Sequence, residues 1–204
     1  SKSYTKFEPL VVALARKASA PVRGCNSVSE SMLTVRRHAA QVRVKTGFKQ
    51  DGAIMAREAE IYLDTGAYDD NGPQVTIRAA TRVLGPYRIP NILTIAYSVY
   101  TNSGSAGSFR AIGAPQVIFA GESQIDIAAA RLGMDPAELR LKNLLRKDEE
   151  LRPGLKGIDA NLASGLKRLI NESHWKKSTK KEAAPVGIAC AVTNAGATPV
   201  SIAM

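Results

Sequence analysis

Apolar residues recur along this chain with two periods, and the switches between them mark out its elements. Across 7–18, Leu10, Val11, Leu14 and Ala15 fall at helical spacing, and Pro21 ends that helix ahead of a short strand predicted over 22–28. From 39 to 48 the period is two: Val42 and Val44 alternate with Arg43 and Lys45, as in a half-exposed strand. Gln50, Asp51 and Gly52 supply a turn, and 53–63 returns with Ala59, Ile61 and Leu63 on one face and Glu58 and Glu60 on the other. The two segments are therefore predicted to pair as a hairpin. A loop over 64–72 leads to a short helix over 74–83 that carries Ile77, Arg78 and Arg82 and stops at GPYRIPN. In 92–100, Leu93, Ile95, Tyr97 and Val99 alternate with polar or small neighbours, again a strand. The rest is helical: 115–132 closed by Gly133, 136–145 opened by Asp135 with Glu138 in its first turn, and 161–172 with Leu162, Leu166, Leu169 and Ile170 inward.

Strands that cluster, with helices interposed irregularly, argue an α+β fold: a two-layer mixed sheet with helices packed on one side. The 204 residues, 45% hydrophobic and 23% charged, suffice for a real core. We divide them into a first subdomain over about 1–150, a helix and basic linker over 151–182, and the start of a second subdomain over 183–204. The ends read as those of a fragment, with no initiator Met before Ser1 and an apolar strand cut off at Met204. No apolar run of about 18 residues and no signal pattern is present, so no membrane partner is expected.

Charge and cysteines refine this only slightly. The net charge of +10 is densest at Lys176, Lys177, Lys180 and Lys181, beside a single aromatic, Trp175. Without interleaved aromatics this reads as a solvated linker, and no nucleic-acid partner is expected. Cys25 and Cys190 lack CxxC spacing and read as free thiols of a reduced, cytoplasmic setting, although spacing alone leaves their pairing open. His38 and His174 are far apart and lack an accompanying acidic or cysteine cluster, so no protein-ligated metal is expected. Glu122 and Asp126, one turn apart, read as a solvated stripe.

The stretch 101–145 carries the chemistry. Gly104, Ala106, Gly107, Ala111, Gly113 and Ala114 strip bulk from a loop that presents Arg110, which reads as buried, and Pro115 starts the following helix. Free amides, the positive helix pole and a guanidinium would then converge on an anion. The competing reading is a glycine-rich connector with a chance arginine.

The motifs SFRAIGAPQ, ESQID and RLGMDPAELRLKNLL, preceded by PVR, VKTGFKQDGAI, LDTGAY and GPYRIPN before YTN, resemble in order and spacing the molybdenum hydroxylases of the xanthine dehydrogenase and aldehyde oxidase family. The similarity runs from Ser1 to about Trp175. The resemblance implies part of the molybdenum-cofactor-binding domain of the large subunit, with Phe109, Arg110, Ala111, Ile112 and Gly113 against molybdopterin, in the cytosine dinucleotide form in bacterial-type members. It implies oxidative hydroxylation of an N-heterocycle or aldehyde carbon, with oxygen from water. Electrons would pass through iron–sulfur clusters and FAD on partner subunits or domains of an oligomeric enzyme.

Arg78, upstream of Tyr87, stands where purine-oxidising relatives contact substrate; its alternative is an exposed arginine paired with Asp69 or Asp70. Ile112 replaces the second aromatic of the usual FRGFG pattern and Ala111 its glycine, which disfavours a purine and leaves an aliphatic wall for substrate. SGSAG lacks the copper-binding cysteine of carbon-monoxide-oxidising relatives. The family's glutamate base belongs past Met204, so no catalytic residue is assigned here. Two other classes remain: a noncatalytic phosphate or nucleotide-binding module using the Arg110 loop, and a polyanion-binding domain using Lys176 to Lys181. With half of the pocket expected outside it, the isolated chain is predicted to be inactive. Substrate-dependent dye reduction by the purified 204-residue protein would overturn that expectation.

Overall fold

The alternating segments pair across the Gln50–Gly52 turn. The computed structural model describes residues 7–30, 35–154, 157–175 and 186–192. In it β1 (Ala40–Phe48) and β2 (Ile54–Gly66) are antiparallel, Val42 opposite Ile61 and Lys45 opposite Glu58. β3 (Asn91–Tyr100) runs parallel to β2 on its other side, giving a mixed sheet in the order β1-β2-β3. Parallel neighbours need a crossover, and the helix Gly72–Arg82 supplies it. With α1 at Glu8–Ala18, this crossover is α2; α3 (Ala114–Leu132), α4 (Pro136–Asn143) and α5 (Leu162–Glu172) follow. Asp135 caps α4 through the Ala137 and Glu138 amides, and Gly133 closes α3 in the left-handed conformation.

The inner sheet face carries Ala59, Ile61 and Leu63, buried against Val75 and Ala79 of α2, Val83 just after it and Val117 of α3. This is the two-layer α+β arrangement that the pattern predicts. A second cluster joins Ile125 and Ala129 of α3 to Leu139 of α4 and Leu166 of α5.

Four expectations change. β3 alternates as predicted, yet its large members face outward: Leu93 is 55% and Tyr97 45% exposed, while Thr94, Ala96 and Ser98 lie beneath α2. The cause is a close approach. A methyl group on Gly72 would meet Thr65 Oγ1 at 2.2 Å and Ser98 Oγ at 2.8 Å, so only small residues fit under that helix. Outside, Tyr97 stacks on Tyr62 with ring centroids 5.0 Å apart. The strand expected over 22–28 does not form. Ser27 and Glu30 instead exchange hydrogen bonds as a capping box, Ser27 N–H to Glu30 Oε2 at 2.8 Å and Glu30 N–H to Ser27 Oγ at 3.3 Å, and start a helix at Val28. On α5, Leu166 is buried but Leu169 is exposed; α1 buries none of its residues.

The fourth change concerns Glu122, which belongs to a buried network. Arg140, fully buried, donates from Nε to Glu122 Oε2 at 2.9 Å and from Nη1 to the exposed Asp126 at 2.7 Å. Tyr87 donates its hydroxyl to Glu122 Oε1 at 2.6 Å, and the Cys190 amide donates to Oε2 at 2.8 Å. Burial and the neighbouring carboxylate push the Tyr87 phenol far above its ordinary pKa, which keeps it a donor. Both cysteines are free thiols. Among the described residues no helix is long and apolar enough to cross a membrane. The Lys176 to Lys181 run, Ser1, 183–185 and 193–204 lie outside the described residues.

Removing the guanidinium would strand a dry carboxylate. Arg140→Met is expected to cost about 3–5 kcal/mol of unfolding free energy in urea. A loss below about 1 kcal/mol would contradict a desolvated, paired Glu122.

Candidate functional site

The loop between β3 and α3 is stitched to its surroundings before it turns. The Ala106 amide donates to Thr65 O at 2.9 Å, Gly107 N–H to Arg36 O at 3.1 Å, and Ala67 N–H to Ser103 O at 3.0 Å. Beyond Ser108 it tightens, with Ile112 N–H bonded to Phe109 O and Ala114 N–H to Ala111 O. Ala111 and Gly113 take φ of +64° and +70°. A Cβ on Gly113 would sit 2.6 Å from Val75 O and 3.0 Å from Ala79 N, so the loop rests directly on the α2 backbone and only glycine fits there.

Three arginines hold this loop by its carbonyls. Arg36 donates from Nε to Gly104 O at 2.8 Å while its Nη2 pairs with Asp64 at 2.8 Å. Arg37 donates from Nη2 to Arg110 O at 2.9 Å, and its guanidinium lies 4.8 Å from the centre of the Phe109 ring. Arg82 donates from Nη1 to Ile112 O. With these carbonyls occupied, Arg110 itself projects outward. It is exposed rather than buried, and its side chain has no hydrogen bond or ion pair among the described residues. Phe109 and Ile112 are exposed beside it, at 47% and 37%.

Arg78 stands one turn before Arg82 on the same helix, half-buried and unpaired with either aspartate: Asp69 caps the Gly72 amide at 3.0 Å, and Asp70 Oδ2 is buried without a partner. Burial, and then the charge of Arg78, hold the Arg82 guanidinium below its ordinary pKa. Arg78, Arg82 and Arg152 converge on a cavity of about 60 Å³. A broader trough of about 620 Å³ lies between β1 and α3, away from these cations, lined by Val42, Val44, Phe119 and Ile127 together with His38 and Gln116.

Behind the loop, polar atoms lack partners. Of the eight buried, unpartnered side-chain atoms among the described residues, six surround this loop: Arg37 Nη1, His38 Nε2, Thr65 Oγ1, Asp70 Oδ2, Asn71 Oδ1 and Gln116 Oε1. Asn71 Nδ2 reaches Ser108 Oγ, Gln116 Nε2 reaches His38 O at 2.9 Å, and a Cβ on Gly107 would meet Asp70 Oδ2 at 2.4 Å. Burial, with Arg36 adding repulsion, holds the His38 imidazole below its ordinary pKa. Buried polar atoms are normally satisfied, so such a concentration fits a ligand dense in donors and acceptors, as a pterin is. Sequence reading named Arg110 but missed Arg36, Arg37, Asn71 and Gln116. The consecutive Arg36, Arg37 and His38 before β1, and the Gln of GAPQ, were the available signals.

The family model described as the molybdopterin cofactor-binding domain matches residues 1–144. The chain is 38% identical over 135 residues to the nicotinate dehydrogenase large molybdopterin subunit of Eubacterium barkeri, covering 66% of this chain and 32% of that protein. It is 33% identical over 202 residues to the aldehyde oxidoreductase of Megalodesulfovibrio gigas, covering 94% and 22%. The solved aldehyde oxidoreductase from Desulfovibrio gigas superposes with a TM-score of 0.70 at 31% identity, over 90% of this chain and 20% of that one. The chain thus spans between about a fifth and a third of the length of these relatives. With a family match over residues 1–144 and a fold shared with a solved member at 31% identity, the chain belongs to the molybdopterin cofactor-binding domain family.

Proposed function

We propose that this chain forms part of the molybdenum-cofactor site of an oxidoreductase that hydroxylates an N-heterocycle or aldehyde carbon with water as oxygen source. The observation that carries the reading is the loop 108–113, clasped by its carbonyls and backed by unpartnered polar atoms, inside a molybdopterin cofactor-binding domain. Phe109, Arg110, Ala111, Ile112 and Gly113 form the cofactor-facing loop. The unpaired Arg110 guanidinium supplies positive charge to the anionic cofactor. Arg37 fixes the Arg110 carbonyl and the Phe109 ring, and so sets the direction in which Arg110 leaves the loop. Gly113 lets the loop lie on α2, which brings Ile112 to Arg82, one turn from Arg78.

When bound, the molybdenum cofactor supplies two-electron redox chemistry at the substrate carbon. Arg78 steadies negative charge that develops on a substrate oxygen or nitrogen, and Ile112 offers an apolar wall. Iron–sulfur and FAD subunits or domains carry electrons away in a cytoplasmic, oligomeric enzyme, and the cofactor is the cytosine dinucleotide form. A noncatalytic phosphate-binding module is not favoured, since the family match extends well beyond the loop.

The test is the molybdenum and pterin content of the full-length protein copurified with the products of neighbouring genes. About one molybdenum per large subunit is expected; none in well-folded, partner-bound protein would refute the reading. Arg37→Ala is expected to lower pterin occupancy with the far-ultraviolet circular dichroism unchanged, and unaltered occupancy would show that the clasp is dispensable.

A further inference from the structure

β1 is an edge strand, paired with β2 along one side. The Asp64 amide donates to Ala39 O at 2.9 Å, so the backbone groups of Ala39, Gln41, Arg43 and Lys45 turn toward β2 and those of the even-numbered residues turn away from it. Helix α3 takes two of the outward carbonyls in place of a strand. Gln116 Nε2 donates to His38 O at 2.9 Å, and Gln124 Nε2 donates to Val44 O while its Oε1 accepts the Thr46 hydroxyl at 2.6 Å. Between these two glutamines, the outward N–H and C=O of Ala40 and Val42 have no partner among the described residues. An open row of strand donors and acceptors is a template for another strand.

The trough of about 620 Å³ runs along the same gap. Val42 and Val44 form one wall, Phe119 and Ile127 of α3 the other, and the short side chains of Ala120 and Ser123 keep the space between them open. Phe119 is 76% and Ile127 52% exposed, so the far wall is apolar surface left in water. Among the described residues no aspartate or glutamate lines the trough. A strand laid beside β1 satisfies both features together: its backbone pairs with Ala40 and Val42 while every second side chain enters the trough. The gap from Ala40 to Val44 admits about five residues of such a strand.

Charge selects its other face. The remaining side chains of an added strand stand beside Arg43 and Lys45, whose side chains are 65% and 81% exposed on the opposite face of the sheet. Their ion pairs with Glu60 and Glu58, at 3.0 and 3.6 Å, lie in solvent and are weak, so both cations remain open to a second acid. A second copy of β1 would bring its own Arg43 and Lys45 to that face, where like charges repel. The run from Glu58 to Asp64 has the complementary alternation, but it is β2, already paired with β1 and β3. A second copy would have to open its own sheet to supply it.

We propose that the β1 edge and the trough beside it bind an extended segment of a different polypeptide, apolar on the face toward α3 and acidic on the other, as a fourth strand of the sheet. This surface is separate from the loop 108–113, and the proposal does not rest on the function assigned to that loop.

A capped peptide of about seven residues alternating valine and glutamate tests this against two controls: the same residues scrambled so that the valines adjoin, and valine alternating with lysine. Each is titrated into this chain and followed by NMR. The alternating acidic peptide is expected to saturate, to shift the Ala40 and Val42 amides and slow their hydrogen exchange, and to bind at least about fivefold more tightly than either control. Ala40→Pro removes one outward donor at the start of β1 and spares the pairing with β2, and Phe119→Ser removes an exposed wall. Each should weaken binding by about fivefold with the circular dichroism unchanged. Lys45→Glu should move the preference toward the lysine peptide. Equal binding of the three peptides, or binding indifferent to both Ala40→Pro and Phe119→Ser, would overturn the proposal. Ala40 and Val42 amides already protected in the free chain would assign the edge to the chain itself, and self-association abolished by Ala40→Pro would assign it to a second copy; either result overturns it too.

Discussion

The buried carboxylate of Glu122 is the constraint on which the rest of the structure depends. It accepts from Tyr87, Arg140 and the Cys190 amide, so one side chain on α3 locks that helix to α4, to the segment after α2, and to the chain beyond α5. An ionised carboxylate out of water costs several kcal/mol unless its lone pairs are filled, which makes these partners mutually obligatory. Since α3 starts at Ala114, directly after the loop, fixing its orientation also fixes where the loop ends.

From that anchored end the loop is held by its oxygens. Side chains that grip carbonyls leave the opposite polarity free. Arg36, Arg37 and Arg82 occupy the loop's acceptors, Arg36 with its charge balanced by Asp64, so guanidiniums flank the backbone on which Arg110 stands without Arg110 having to be buried. An exposed, unpaired guanidinium on a fixed backbone costs less in the free protein than a dry one and remains able to pair with an incoming anion.

Much of this was legible in the sequence, for reasons that differ by element. The hairpin was plain because Val42, Val44, Ala59, Ile61 and Leu63 keep strict alternation with charged neighbours. The α4 start was plain because Asp135 and Pro136 are chemically suited to it. The inside of β3 was not, since alternation gives the faces but not which one is buried; that was decided by the close seating of Gly72 on Thr65 and Ser98, a contact between distant segments. Glu122 looked solvated because spacing along one helix says nothing of an arginine arriving from another. The strand expected over 22–28 lost to a capping box written in the same residues, Ser27 and Glu30. Arg110 was found through its motif, whereas Arg36 and Arg37 act through a parallel bridge from Arg36 to Ala106 that no local pattern announces.

Ala111 shows how far the clasp governs local geometry. The resembling family carries glycine at this position, and alanine in the left-handed region costs roughly 1–2 kcal/mol. The residue nevertheless takes φ of +64°. A single partly exposed hydrogen bond contributes about 1 kcal/mol and would not hold it there. Arg37 on the Arg110 carbonyl just before it, Arg82 on the Ile112 carbonyl just after it, and Gly113 wedged against Val75 and Ala79 together leave no other path for the chain. The loop's shape is thus imposed by its neighbours rather than by its own preferences. That freedom lets the sequence vary Ala111 and Ile112, the residues that face outward, while the backbone they stand on stays fixed.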